Sequence, residues 1–303
     1  MKARLASPER TGSIAARAAL RNRSGAPKFP QNPVSGGAGT GYWVGMDNHR
    51  GPGPKKPATK RGDAPARLWL YGRHAVAAAL ANPARRVRRV LATKNAADWL
   101  ADKTSAEEWR AKIEDAKPNA IDKALPPGAV HQGLAAEVFD LPRARLKEVC
   151  APAEAGRPVV VLDQITDPQN IGAIFRSAAA FNARAIIVQE RRTPPLSGVL
   201  AKAAAGAVET MPCVKAVNIA RALEALADLG YMRAGLAGEA EDEVASLPDD
   251  APIALVLGAE GAGLRQLVGA SCDRLVRIPI APAMESLNVS TAAAIALYQV
   301  TRR

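Results

Sequence analysis

Five short apolar runs, at residues 159–162, 185–188, 231–236, 253–257 and 275–280, alternate with stretches of helical composition at 171–181, 201–208, 219–229, 263–268 and 291–300. Strands apolar on both faces must be covered on both, so the pattern predicts an α/β fold with a parallel sheet between two helical layers. Connection rules alone would make that sheet open and doubly wound. Ligands of such sheets collect at the carboxyl ends of the strands, where the polar motifs of this chain lie.

A smaller α/β module precedes it, with helices expected at 71–80 and 106–116 and strands at 87–92 and 133–139. It would occupy residues 67–140. A linker rich in Pro, Gly and mixed charge, with room for a short helix, would follow at 141–157, and the alternating domain at 158–303. Arg85, Arg86, Arg88 and Arg89 crowd the start of the 87–92 strand, a cluster suited to gripping a phosphate backbone or to forming an ordinary solvated face. His74 and His131 suit packing and turn positions better than catalysis.

Net charge is +12, from 41 basic and 29 acidic side chains. Residues 1–66 hold twelve Lys or Arg against three acids, +9 of that total, with ten Gly, eight Pro and only six Leu, Ile, Val or Phe. So little apolar surface does not offset the entropy of ordering, and the expectation is a disordered basic tail. The tail could tether RNA, keep the protein in solution or direct it to an organelle. Basic charge points to polyanionic partners, nucleic acid first. Three cysteines without a CxxC pair exclude a disulfide framework and a zinc ribbon and suit a reducing cytoplasm. His spacing offers no metal site, and no apolar run approaches the roughly 18 residues of a membrane span.

Three motifs stand at strand ends. In DQITDPQNIGAIFRS (163–177), Pro168 pins the turn, Asn170 is placed to cap the helix, Gly172 permits close backbone approach, and Arg176 sits among small neighbours where a guanidinium needs an anion. LGAEGAGLR (257–265) is glycine-rich but lacks the GxGxxG spacing of a dinucleotide fold and the GxxxxGK[ST] of a P-loop, leaving Glu260 as its acidic side chain. In IPIAPAMESLNVSTAAAIAL (278–297), Ser286, Asn288, Ser290 and Thr291 crowd the start of an alanine-rich helix, whose free N–H groups suit a carboxylate or phosphate.

In this order the three motifs resemble the SpoU (TrmH-like) family of RNA ribose 2′-O-methyltransferases, of the SPOUT superfamily. YGRHAV (71–76) and HQGLAAEV (131–138) extend the resemblance into the first module. YGRHAV, HQG and ESLNVS look closest to the branch that methylates a guanosine of large-subunit (23S) ribosomal RNA. The resemblance implies an L30e-like substrate-binding domain, a trefoil-knotted catalytic domain, S-adenosylmethionine as cofactor, a homodimer and no metal. It implies that the backbone around Gly258, Ile278 and Leu287 holds the cofactor. Asn170, Arg176, Glu260, Ser286 and Asn288 fall where the family keeps its catalytic and RNA-positioning side chains. Where the family commonly has glycine this chain has Asn182, which tolerates the left-handed turn. A tRNA 2′-O-methyltransferase, and a ribosome-assembly RNA-binding protein without essential methyl transfer, remain alternatives.

Overall fold

The computed structural model describes residues 67–103 and 112–302. The tail expected at 1–66 lies outside the described residues. The first module is a four-stranded mixed sheet of β1 (Arg67–Tyr71), β2 (Val87–Ala92), β3 (Ile113–Asp115) and β4 (Leu134–Phe139), in the order β1-β4-β2-β3. β4 runs antiparallel to both its neighbours, and β3 is parallel to β2. Its helices are α1 (Arg73–Ala81), α2 (Lys94–Lys103) and α3 (Pro118–Ala124).

Alternation along the strands sorts the sheet into two faces. Leu70, Val90, Leu134, Ala136 and Val138 join Val76 and Leu100 in the main core. On the opposite face Tyr71, Leu91 and Ala135 pack under Ile121 of α3, whereas Trp69, Arg89 and Glu137 continue that face beyond the helix. The helix expected at 106–116 is corrected over its last residues, because Ile113–Asp115 pairs as an edge strand. α2 and α3 were not expected. α3 opens with a proline in its first turn, where a missing N–H costs nothing.

The second sheet contains β5 (Val159–Leu162), β6 (Ala185–Gln189), β7 (Cys213–Ala216), β8 (Met232–Leu236), β9 (Asp242–Glu243), β10 (Ile253–Leu257) and β11 (Arg274–Arg277). Their order is β7-β6-β5-β10-β8-β11-β9, and every pair is parallel. Around it lie α5 (Pro168–Ala180), α6 (Gly198–Ala203), α7 (Ala207–Thr210), α8 (Ile219–Asp228), α9 (Gln266–Ala270) and α10 (Val289–Thr301). Val160, Leu162, Ile186 and Leu255 pack against Ile171, Phe175, Ala293 and Leu297 of α5 and α10. Val159, Val161, Ile187 and Val256 turn the other way, onto Ile219, Leu223 and Leu226 of α8. The expected parallel sheet covered on both faces is present.

The departures are local. β7 and the two-residue β9 were not expected, and β11 stops at Arg277, ahead of Pro279, which has no N–H for a ladder. One helix expected at 201–208 is two, because Ala205 (φ 51) and Gly206 (φ 98) turn left-handed between them. The connection at 141–157 carries α4 (Leu146–Cys150) and is packed rather than loose. Cys150 is fully buried, Tyr231 Oη donates to its carbonyl at 2.8 Å, and Arg184 Nε donates to the Val149 carbonyl at 2.9 Å.

Candidate active site and RNA-binding face

α5 begins at the carboxyl end of β5. Asp167, and not Asn170, caps it, accepting from the Asn170 backbone N–H at 2.7 Å. The cap expected of Asn170 is thereby corrected, and its side chain is left for other partners. Gly172 makes the expected close approach: a Cβ there would stand 2.4 Å from the Leu200 carbonyl oxygen. Asn182, at φ 52, takes the left-handed turn expected of it.

The glycine-rich loop leaves β10 and folds back on itself through reciprocal backbone bonds between Ala259 and Gly263, at 3.1 and 2.9 Å. Asp163, fully buried at the end of β5, anchors the loop's far end. It accepts from Arg265 Nε at 2.8 Å and from the Arg265 backbone N–H at 3.1 Å. This strut brings Glu260 over α5. Asn170 Nδ2 and Asn288 Nδ2 donate to Glu260 Oε1 at 3.1 and 2.7 Å, and the Val289 N–H at 3.2 Å. Asn288 Nδ2 also donates to Asn170 Oδ1 at 2.9 Å, while its Oδ1 caps α10 by accepting from the Ser290 N–H at 2.9 Å. One side chain from each motif thus meets at a single carboxylate.

Below this cluster lies a cavity of about 810 Å³, lined among others by Gly258, Glu260, Ile278, Ser286, Leu287 and Asn288. Its size is that of a small-molecule site, roughly 300–1,000 Å³. Apolar walls from Leu236, Leu257 and Ile278 suit a purine, and Glu239, Glu260 and Glu285 suit a cationic sulfonium or ammonium, so the residues present fit S-adenosylmethionine. The turn after β8 (236–239) was not anticipated; it carries no motif that would have marked it. The Asp163 to Arg265 strut was also missed, although an acid closing the run VVVL was its visible signal.

Arg176 is exposed on α5, outside the cavity lining, and makes no hydrogen bond or ion pair among the described residues. Six positions beyond Asn170, it points about 240° around the helix from it. Among the described residues no helix is long and apolar enough to cross a membrane, and no group of three or more His, Cys, Asp or Glu is placed to hold a metal ion.

The four arginines of the first module divide. Arg85 is corrected as a phosphate grip: its side chain is wholly buried and paired with Glu209. Arg86 and Arg88 are exposed and Arg89 half-buried. Arg88 and Arg89 converge with Arg67 on Glu137, at 2.7, 2.8 and 3.8 Å, leaving an excess of positive charge on the open part of the sheet. Arg89 lies over the Trp69 ring and Arg86 over Phe139, with centroid distances of 5.4 and 4.6 Å.

Two predictions follow from these pairs. Burial alone would raise the Glu137 carboxyl, but hydrogen bonds from Arg89 and Arg88 and their charges hold it below its ordinary 4.5. A carboxylate depressed in the folded state stabilises it above the unfolded value, and that contribution fades as pH falls through the folded one. The unfolding free energy of wild type minus that of Glu137→Gln should therefore be positive at neutral pH and shrink below pH 4.5 in urea titrations. Asp163→Asn should cost about 1–3 kcal/mol, less than a fully buried pair because Arg265 reaches solvent. Thermal unfolding and cofactor titration should show a Tm lower by several degrees together with weaker binding, since the strut positions Glu260.

The fold is that of RNA ribose methyltransferase structures. A crystal structure described as an RNA 2′-O ribose methyltransferase superposes with a TM-score of 0.65 at 22% identity, over 79% of this chain and 90% of that one. The SpoU methyltransferase AviRb from Streptomyces viridochromogenes gives 0.64 at 24% identity, over 78% and 89%. Residues 157–298 match the SpoU rRNA Methylase family, and residues 69–144 match RNA 2′-O ribose methyltransferase substrate binding. The chain belongs to the SpoU rRNA methylase family. Among its relatives, the 23S rRNA (guanosine-2′-O-)-methyltransferase RlmB of Pseudomonas putida is 36% identical over 247 residues, 77% of this chain and 96% of that protein. An RlmB from Burkholderia sp. is 42% identical over 174 residues, 57% of this chain and 70% of that protein.

Proposed function

We propose that this protein transfers a methyl group from S-adenosylmethionine to a ribose 2′-hydroxyl of RNA, the acceptor being a guanosine of large-subunit ribosomal RNA. The observation that carries the reading is the meeting of Asn170, Glu260 and Asn288 at the rim of the cavity lined by Gly258, Ile278 and Leu287. Bound there, the cofactor supplies a methyl group made electrophilic by its sulfonium.

The chain's own groups do the rest. Backbone around Gly258, Ile278 and Leu287 holds the adenosine and methionine portions. Glu260, fixed by three donors, presents a rigid carboxylate beside them, and Ser286, exposed at the cavity edge, orients the ribose. Arg176 binds the phosphate next to the target and stabilises charge growing on the 2′-oxygen. A guanidinium is a poor proton acceptor, so the hydroxyl proton leaves to that phosphate or to water. Orientation and fixed charge supply most of the acceleration.

In this reading residues 67–140 bind substrate, with Arg86, Arg88 and Arg89 on the RNA backbone, residues 141–157 connect, and 158–303 catalyse. A trefoil-knotted path for this domain is part of the reading, supported by the loops after β8, β10 and β11 that line one cavity. A homodimer would cover the exposed Ile295 and Tyr298 of α10, and the reducing cytoplasm houses the protein. Mapping ribose methylation in total RNA with and without the gene tests the proposal. Loss of one guanosine methylation in large-subunit RNA is expected; loss confined to tRNA overturns the substrate, and an unchanged map overturns the activity.

A further inference from the structure

The two modules meet where α6 lies against β1 and where α1 lies against α7, the latter close enough that a Cβ on Gly206 would stand 2.8 Å from Ala78 Cβ. At one end of this second contact sits a charge pair removed from water. Arg85, in the turn after α1, and Glu209, on α7, have side chains 0% and 2% exposed. Arg85 Nη2 donates to Glu209 Oε1 at 2.7 Å, Nε to Oε2 at 3.0 Å, and Nη1 to the Phe139 carbonyl at 2.8 Å. Asn82 Nδ2 donates to Glu209 Oε2 at 2.9 Å and to its carbonyl at 3.1 Å. A guanidinium, a carboxylate and an amide thus bind each other across 124 residues of sequence.

Stability does not require such an arrangement, because an apolar contact of the same volume serves as well or better. A bidentate pair differs in admitting one geometry, where apolar surfaces slide. Apolar residues of both modules, Leu70 and Val76 with Leu200 and Ala204, share one core, but packing is open beside the pair, where a cavity of about 270 Å³ is bordered by Asn82, Glu209, Leu196 and Met211. We infer that Asn82, Arg85 and Glu209 form a positioning clamp that fixes the RNA-binding sheet relative to the methyl-transfer cavity, so that bound RNA presents its ribose in register. The inference rests on the function proposed above. None of the three lines the cavity proposed for the cofactor.

Glu209→Gln separates the clamp from a direct RNA contact by the sign of its effect. Removing a negative charge tightens RNA binding wherever electrostatics alone decide. A loosened clamp does the reverse, raising KM for a ribosomal RNA fragment by about tenfold or more through misplacement, at unchanged cofactor affinity. Arg85→Ala should match it, the double variant should be no worse than either single one, and Arg85→Lys should recover part of the loss. Asn82→Ala, the mildest change, should raise KM less and leave folding intact, which keeps the test open if Arg85→Ala fails to fold. Small-angle scattering of the full chain should show a broader distance distribution for Glu209→Gln. Wild-type KM and scattering for Glu209→Gln overturn the clamp. So does an Arg85→Ala variant whose salt slope falls by about 0.7–0.9 while Glu209→Gln binds normally, the mark of a phosphate contact. A wild type that transfers no methyl defeats the proposed function alone, and scattering then decides the clamp by itself.

Discussion

Arg176→Ala should bind S-adenosylmethionine within a few-fold of wild type yet transfer methyl groups about a hundred- to a thousandfold more slowly, the loss expected when a group stabilising developing charge is removed. The two halves of the result have separate structural causes. Arg176 lies outside the cavity lining, so cofactor affinity has no reason to change. It is exposed and unpaired among the described residues, so its removal neither strands a buried partner nor opens a hole. Arg176→Lys should restore little, since a compact ammonium does not reproduce a planar two-pronged donor. Single-turnover transfer and calorimetric cofactor titration read the two halves independently. Wild-type turnover in the alanine variant would remove Arg176 from the reaction.

Gly258→Val should abolish cofactor binding and lower Tm by about 6–12 °C, the equivalent of about 3 kcal/mol in a protein of this size. A side chain here takes space from a ligand held against the backbone. The structure supplies a nearer obstacle: a Cβ on Gly258 would lie 2.2 Å from both the carbonyl carbon and the oxygen of Gly263, and 2.4 Å from the Leu264 nitrogen. These are backbone atoms held by the Ala259 and Gly263 bridge, and they have nowhere to go. The loop opens, and Glu260 leaves its partners. Gly269→Ala is the control, having no neighbour within 4 Å of its added carbon. A valine variant with intact affinity and Tm would move the pocket elsewhere.

The same loop shows where local reading of the chain succeeds. VVVL and IALVL announced themselves as two-faced strands, and Val160 and Val161 do bury into opposite layers. Polar residues just beyond such strands marked Glu260 and Asn288, and resemblance to a known family assigned them a purpose. Pairings across long separations left no local trace. Nothing near Arg85 announces Glu209, so a run of arginines read as one surface although one member faces inward. Nor does composition reveal that Ala205 turns left-handed and splits a helix, since alanine is a strong helix former. Asn170 and Asp167 are equally good caps by type, and Pro168 in the first turn of α5 is the signal that favours Asp167.

The carboxylate of Glu260 gathers donors 90 residues before it and 28 after it. Contacts so distant form only after loop-closure entropy has been overcome, and they do so late. The site and one hydrophobic layer share a last component, because α10 supplies Asn288 to the cluster and Ala293 and Leu297 to the core. Without α10 in place, Asn288 does not reach Asn170 and the cluster is incomplete. A chain made from its N-terminus onward is therefore a catalytically silent scaffold until α10 has been made.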